Sequence, residues 1–343
     1  MDSLCKAYHI NYDVIEGFLR EKQAKRVLVE APDGLKPLIP CLLEKLSGKY
    51  EFIISGLPTY GSCDIALDEA RKLGVDAIVH IGHNEYPFLS IKPEIPVLYV
   101  PVYYNWVPGK QLIERLDNML RGKYRKIGVV TTIQHLNTIK TFERELERKG
   151  YDIYVGKPST QLMPGQILGC EYSAALDVVD RVDVFLVIAG GRFHAIGLSL
   201  VVDKPIIQID PYREELIDIG EKAKRIIAKR YYVVSMVRNT RIKTMGVIIG
   251  SKPGQYRPGI IDFVKKMLAE LGIEFYDIVV DELSFERLVS IDNAFKADAY
   301  VVTSCPRLPI DDLSDFYKPV LTPGELYMVR KNRLDKYVFP WYS

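Results

Sequence analysis

Asp76-Ala77-Ile78-Val79-His80, Asp183-Val184-Phe185-Leu186-Val187 and Asp298-Ala299-Tyr300-Val301-Val302 repeat one pattern, an aspartate opening a short apolar run. The aspartates stand 107 and then 115 residues apart, and the same elements recur around each. Upstream lies a β-branched run (25–29, 125–130, 243–249), followed by a helix-length amphipathic stretch, clearest at 138–149 and 258–271. A second strand follows (50–54, 151–155, 273–279), and a fourth short one closes each unit (96–100, 205–209, 319–321). Continuous apolar strands separated by helical patterns are the signature of parallel sheets covered on both faces.

The repeat predicts an α/β fold of three small parallel-sheet, Rossmann-like domains spanning 1–112, 113–225 and 226–343. Helical linkers are expected at 111–120 and 214–229, and an aromatic tail, 333–343, is expected to pack back on another domain. The length of 343 residues suits two or three domains. A formal charge of +2 argues against a protein dedicated to coating nucleic acid, and 48% hydrophobic residues exclude a disordered chain. The N-terminus lacks the pattern of a signal peptide. The uncharged run 95–109 is too short for a membrane helix and is broken by Pro96, Pro101 and Pro108. A cytoplasmic protein without direct nucleic-acid or membrane contact is expected. Asn and Gln together number 15, a bias seen in hyperthermophile proteins.

Five scattered cysteines suggest reduced thiols rather than a disulfide framework. Cys5 and Cys41 read as small buried hydrophobes. The other three follow the repeat. Cys63 and Cys170 each lie 13 residues before their aspartate, while Cys305 lies seven after Asp298, where the other units have His83 and Gly190. All three fall at carboxyl ends of parallel strands, where α/β domains place their ligands. A pseudo-three-fold arrangement would bring one thiolate per domain to a centre, a set suited to an iron–sulfur cluster with one iron open. The alternative is three more buried cysteines, and no CxxC or CxxxCxxC spacing decides between the two.

At these residues the sequence resembles the archaeal diphthamide synthases, the 2-(3-amino-3-carboxypropyl)histidine synthases. The strings are Gly61-Ser62-Cys63-Asp64-Ile65-Ala66, Val79-His80-Ile81-Gly82-His83-Asn84, Leu168-Gly169-Cys170, Gly190-Gly191-Arg192-Phe193-His194 and Ser304-Cys305-Pro306-Arg307, in order over about residues 10 to 330. The resemblance implies a homodimeric transferase with a 4Fe–4S cluster on Cys63, Cys170 and Cys305. It implies that S-adenosyl-L-methionine is cleaved between sulfur and Cγ, by a radical route that needs an electron donor. The 3-amino-3-carboxypropyl group would pass to C2 of a histidine on translation elongation factor 2, the first step of diphthamide biosynthesis. Asn84 departs from the small residue expected after Gly-His, which touches local hydrogen bonding only.

Further candidates carry alternatives. Gly190, Gly191 and His194 follow a buried strand and suit close approach of S-adenosylmethionine, or else form only a tight turn. Asp33-Gly34 is a turn with a possible pocket role, and Gln208 and Asp210 end the last strand of the second unit. Arg307 suits a substrate carboxylate, or an ion pair with Asp311 or Asp312. His83, like His194, is a candidate hydrogen-bond donor or base. The basic stretches 121–126 and 222–230 read as solvated helix faces or a docking surface. The rival functions are a quinolinate-synthase-like 4Fe–4S dehydratase and a non-catalytic cluster-carrying partner subunit.

Overall fold

The structure, a computed structural model, describes residues 2–339 and 341. A short strand, β1 (Tyr8–Ile10), precedes the first parallel sheet, built from β2 (Arg26–Glu30), β3 (Glu51–Ile54), β4 (Ala77–Ile81) and β5 (Val97–Val100) in the order β3-β2-β4-β5. Strand β6 (Val102–Tyr104) returns antiparallel to β1. The second sheet takes β7 (Lys126–Thr131), β8 (Asp152–Tyr154), β9 (Val184–Ile188) and β10 (Ile206–Asp210) in the order β8-β7-β9-β10. Strand β11 (Glu215–Asp218) adds to β10 antiparallel. The third sheet repeats the order with β12 (Thr244–Gly250), β13 (Glu274–Val280), β14 (Ala299–Val302) and β15 (Val320–Leu321), as β13-β12-β14-β15.

The repeated aspartate has one structural job. Asp76 Oδ2 accepts from the backbone N–H groups of Lys25 and Arg26 at 2.7 and 2.8 Å. Asp183 Oδ2 accepts from Arg125 and Lys126 at 2.9 and 2.8 Å, and Asp298 Oδ2 from Lys243 and Thr244 at 2.8 and 2.9 Å. Each carboxylate, standing just before the third strand, staples the start of the first strand beside it. Those backbone bonds hold all three carboxyls below the usual range.

Apolar strand faces bury against helices on both sides. In the first unit Val27, Val29, Val79 and Ile81 pack with Ile15 and Leu19 of helix Tyr12–Glu21 and Leu42 of helix Ile39–Lys45. In the third, Met245 and Val247 pack with Ile261, Val264 and Leu268 of helix Pro258–Glu270. A 20-residue helix, Gly220–Asn239, carries the chain into the third sheet. Its buried Arg230 forks onto Glu325 and also donates to the carbonyls of Pro309 and Val320 at 2.8 and 2.6 Å. Tail residue Phe339 packs near Tyr172 of the second unit, and Tyr337 donates to Glu325; Pro340, Tyr342 and Ser343 lie outside the described residues. No helix among the described residues is long and apolar enough to cross a membrane.

Two expectations need correction. Residues 214–229 are not one helical linker, because Glu215–Asp218 pairs as β11 before the helix begins at Gly220. As an edge strand beside β10, β11 exposes its charged ends, Glu215 and Asp218, while the half-buried Leu216 and Ile217 pack on the second-sheet cores. Nor are all five thiols reduced, since Cys5 and Cys41 form a disulfide within the first core. The bond ties the N-terminal helix Asp2–Ala7 to helix Ile39–Lys45 across a sequence separation of 36. Intracellular hyperthermophile proteins keep such bonds as secreted ones do. In denaturant without reductant, three of the five cysteines are expected to react with a thiol reagent, and all five after reduction. Reduction is expected to lower the melting temperature, with a loss of about 3–4 kcal/mol from the freed loop. Five reactive thiols before reduction would refute the pairing.

Candidate three-thiol site

Each sheet delivers one thiol from a loop at its carboxyl edge. Cys63 lies in the loop after β3, which turns on a bond from the Asp64 N–H to the Gly61 carbonyl (2.9 Å). Cys170 lies beyond β8, in a loop closed by the bond from Leu168 N–H to Glu171 carbonyl (2.9 Å). Cys305 follows β14 and accepts, at its carbonyl, from Leu308 N–H (3.2 Å). All three thiols are free and partly accessible. Burial pushes each one's pKa up, and the neighbouring thiolates add to this: Cys305 and Cys170 act on Cys63, and Cys170 acts on Cys305, raised to about 11. The three sulfurs therefore share one recess. They cannot all ionise there without a compensating positive charge.

The third sheet closes the recess onto the first. Gly254, in the loop after β12, donates its N–H to the Cys63 carbonyl at 3.0 Å. A side-chain carbon at Gly254 would meet Cys63 Cβ at 2.6 Å, so only glycine permits this approach. Beside it Lys252 donates to Asp64 at 2.7 Å, and the Gln255 amide reaches the Cys63 sulfur at 4.0 Å. Tyr86 joins the first unit to the second, its hydroxyl 3.5 Å from the Cys170 sulfur. Arg257 donates to that hydroxyl at 3.1 Å while its guanidinium lies over Trp341 and Phe88.

The remaining expected residues fall into groups. Gly190 and Gly191 form a turn held from below: Gln208 donates to the Gly191 carbonyl, and Asp210 accepts from the Gly191 N–H at 3.2 Å. Tyr212 packs against Gly190, leaving no room for a side chain there. Buried Nδ1 of His194 and Oε1 of Gln208 have no hydrogen-bond partner, so the second sheet's edge presents unspent polar groups. Burial, then the Arg307 charge, lowers the His194 pKa to about 3, which keeps it neutral. Arg307, 2% exposed, donates Nε and Nη2 to Asp311 at 2.7 and 3.1 Å and Nη1 to the Phe193 carbonyl at 2.6 Å. Its carboxylate partner is Asp311, and the fork ties the Cys305 loop to the turn bearing His194. Asp33 is exposed and paired with Lys36, and Gly34 faces open space, so this pair stands at the rim. Asn84 accepts from Gln166 at 2.9 Å, a bond that spans the first two units.

The family described as "Putative diphthamide synthesis protein" matches residues 31–338. The chain belongs to the diphthamide synthesis protein family. Among curated relatives of this family, the 2-(3-amino-3-carboxypropyl)histidine synthase of Pyrococcus horikoshii is 34% identical over 90% of this chain and 86% of its own length. The mouse 2-(3-amino-3-carboxypropyl)histidine synthase subunit 1 is 28% identical over 92% of this chain and 70% of its own. The crystal structure of Dph2 from Pyrococcus horikoshii with a 4Fe-4S cluster superposes with a TM-score of 0.82 at 32% identity, covering 97% of this chain and 94% of that one. Membership places the chain among transferases and sets the dehydratase rival aside.

Several family-site neighbours escaped the sequence reading. Lys252, Gly254, Gln255 and Arg257 follow β12 in the same strand-end position as Asp33-Gly34, so the repeat itself was the signal for them. Glu30 and His80 were readable as polar residues at one register of two buried parallel strands. Replacing Gly254 by Ala is expected to cost about 1–3 kcal/mol by overpacking and to speed alkylation of Cys63 relative to Cys170, read by mass spectrometry. An unchanged alkylation ratio would show that the two loops do not meet as described.

Proposed function

We propose that the chain holds a 4Fe–4S cluster on Cys63, Cys170 and Cys305 and transfers the 3-amino-3-carboxypropyl group of S-adenosyl-L-methionine to C2 of a histidine on translation elongation factor 2. The observation that carries this reading is the single recess receiving one free thiol from each sheet. The donor set fits the group: soft sulfur ligands select iron–sulfur clusters, and mutual repulsion among the thiolates is relieved by iron. Among the described residues no three His, Cys, Asp or Glu side chains converge as the ligands of one ion do. When bound, the cluster supplies the electron that opens the sulfonium's Cγ–S bond.

The chain's own residues bind and orient. The Gly190–Gly191 turn lets the co-substrate approach the backbone, with Gln208 and Asp210 fixing the turn from behind. His194 Nδ1 and Gln208 Oε1 are two of the buried atoms left without a hydrogen-bond partner, and they would serve a polar ligand at this edge. Arg307 acts by position, its charge already matched by Asp311, and it fixes the Phe193–His194 corner against Cys305. His83 is the candidate base for the target imidazole, and Asp33-Gly34 remains a rim contact. In this reading the domains 1–112, 113–225 and 226–343 surround the cluster in pseudo-three-fold fashion. The protein works in the cytoplasm as a homodimer served by an electron donor.

Anaerobic reconstitution is expected to give a brown protein that, with dithionite, cleaves S-adenosylmethionine to a fragment of the aminocarboxypropyl moiety. Elongation factor 2 should gain one aminocarboxypropyl group at a histidine by mass spectrometry. Cys63→Ala, Cys170→Ala and Cys305→Ala should each lose both iron and transfer. Release of 5′-deoxyadenosine alone, or a cluster retained in these variants, would overturn the reading.

A further inference from the structure

A buried hydrogen-bonded chain leads away from the recess. Glu30 ends β2, and His80 is its register neighbour on β4. His80 Nδ1 lies 2.7 Å from Glu30 Oε1, and His80 Nε2 lies 2.8 Å from His83 Nδ1. Glu30 and His80 are 1% and 0% exposed, whereas His83 is partly accessible and holds the repeat position that Cys305 has in the third unit. The second Glu30 oxygen accepts from the Ala66 N–H at 3.0 Å. Glu30 also lines a cavity of about 710 Å³ between the first and third units, together with Ser55, Thr59, Asp64, Arg71, Lys252 and Glu282. The chain thus runs from His83, at the strand-end position equivalent to that of Cys305, to Glu30 on the wall of this cavity.

Neutral imidazole has one donor and one acceptor nitrogen, so this chain has two self-consistent states. With Glu30 ionised, His80 Nδ1–H donates to it, His83 Nδ1–H donates to His80 Nε2, and His83 Nε2 carries a free lone pair. With Glu30 protonated, every bond reverses and His83 Nε2 becomes a donor. The states differ by one proton.

We propose that Glu30, His80 and His83 form a proton relay that accepts a proton at His83 Nε2 and stores it on Glu30 beside the outer cavity. The inference rests on the functional reading above. There the net transfer is redox-neutral. Overall the sulfur keeps a pair, giving methylthioadenosine, and the one electron the cluster would supply to open the S–Cγ bond is returned to it when the modified imidazole regains its aromaticity. A bond forms from the aminocarboxypropyl Cγ to imidazole C2, and one proton leaves C2. That proton is the relay's load. Burial keeps both histidines neutral, His80 with a pKa of about 4 and His83 of about 3, and raises the Glu30 carboxyl to about 8. Glu69 pushes Glu30 further up and Lys252 pulls it down; Asp64 and the Tyr99 ring face His80, and His194 faces His83. A carboxyl that titrates near 8 is mostly protonated at neutral pH, so the relay must discharge Glu30 to the cavity side before His83 accepts the next proton, and it stands empty above pH 8.

Two measurements test the relay. The first is ¹⁵N NMR of the histidine-labelled full chain without metal. His80 and His83 are expected to exchange tautomers together in one step near pH 8, with His83 Nε2 losing its proton on the alkaline side. The step should be absent in Glu30→Gln. Fixed tautomers in the wild type, or a step that survives in Glu30→Gln, would overturn the proposal. The second, on the reconstituted enzyme, counts groups transferred to elongation factor 2 per S-adenosylmethionine cleaved. Glu30→Gln is expected to lower that ratio by about a hundred-fold or more, the scale of lost general-base help. If that variant does not fold, His83→Gln at the accessible end takes its place. An unchanged ratio in the variant would overturn the relay. Absence of any transfer by the wild type, with the NMR step intact, would instead remove the functional reading and with it the relay's catalytic load.

Discussion

The N–H of Gly254 donates to the carbonyl of Cys63, and this one bond between main chains joins the first and third sheets at the recess. Backbone meets backbone there only because Gly254 has no side chain. Flanking contacts reinforce the join, from Lys252 to Asp64 and from Gln255 to the Cys63 sulfur. On the other sides, Asn84 with Gln166 links the first two units, and Arg307 with the Phe193 carbonyl links the third to the second. The recess is therefore a product of docking among three sheets, and each pairwise junction includes a specific polar contact.

Within a sheet, the same order of strands puts equivalent positions at equivalent edges. The stapling aspartates secure the amino end of each first strand, leaving the carboxyl ends free to carry loops of different chemistry. Each edge offers a cysteine, to which the second adds a diglycine turn and the first a glutamate and two histidines. This division of labour is the usual one for α/β sheets, where frame residues lie inside and functional residues on strand-end loops.

Much of this was legible in the sequence because period and register are one-dimensional properties. The spacing of Asp76, Asp183 and Asp298 carried the three sheets, and Cys63, Cys170 and Cys305 separated from Cys5 and Cys41 by their place in that register. What escaped depends on three dimensions. Nothing local in Cys5 or Cys41 shows that their helices lie side by side. The choice of Asp311 for Arg307 follows from helical spacing of four residues, yet its third bond, to Phe193, comes from a distant loop. Leu216 and Ile217 sit between charged residues, so β11 looked like the start of a helix until β10 was there to pair with it. Glu30 and His80 become partners only once β2 and β4 are adjacent.

The order of the three thiols along the chain has a consequence for biosynthesis. A ribosome releases residue 63 first, residue 170 next and residue 305 last of the three. The loop bearing Gly254 also emerges late, so Cys63 waits for its backbone partner until most of the chain is made. A nascent chain shorter than residue 305 has at most two of these three thiols and an open side where the third sheet belongs. The first two thiols thus wait with an open side until the third sheet folds against them.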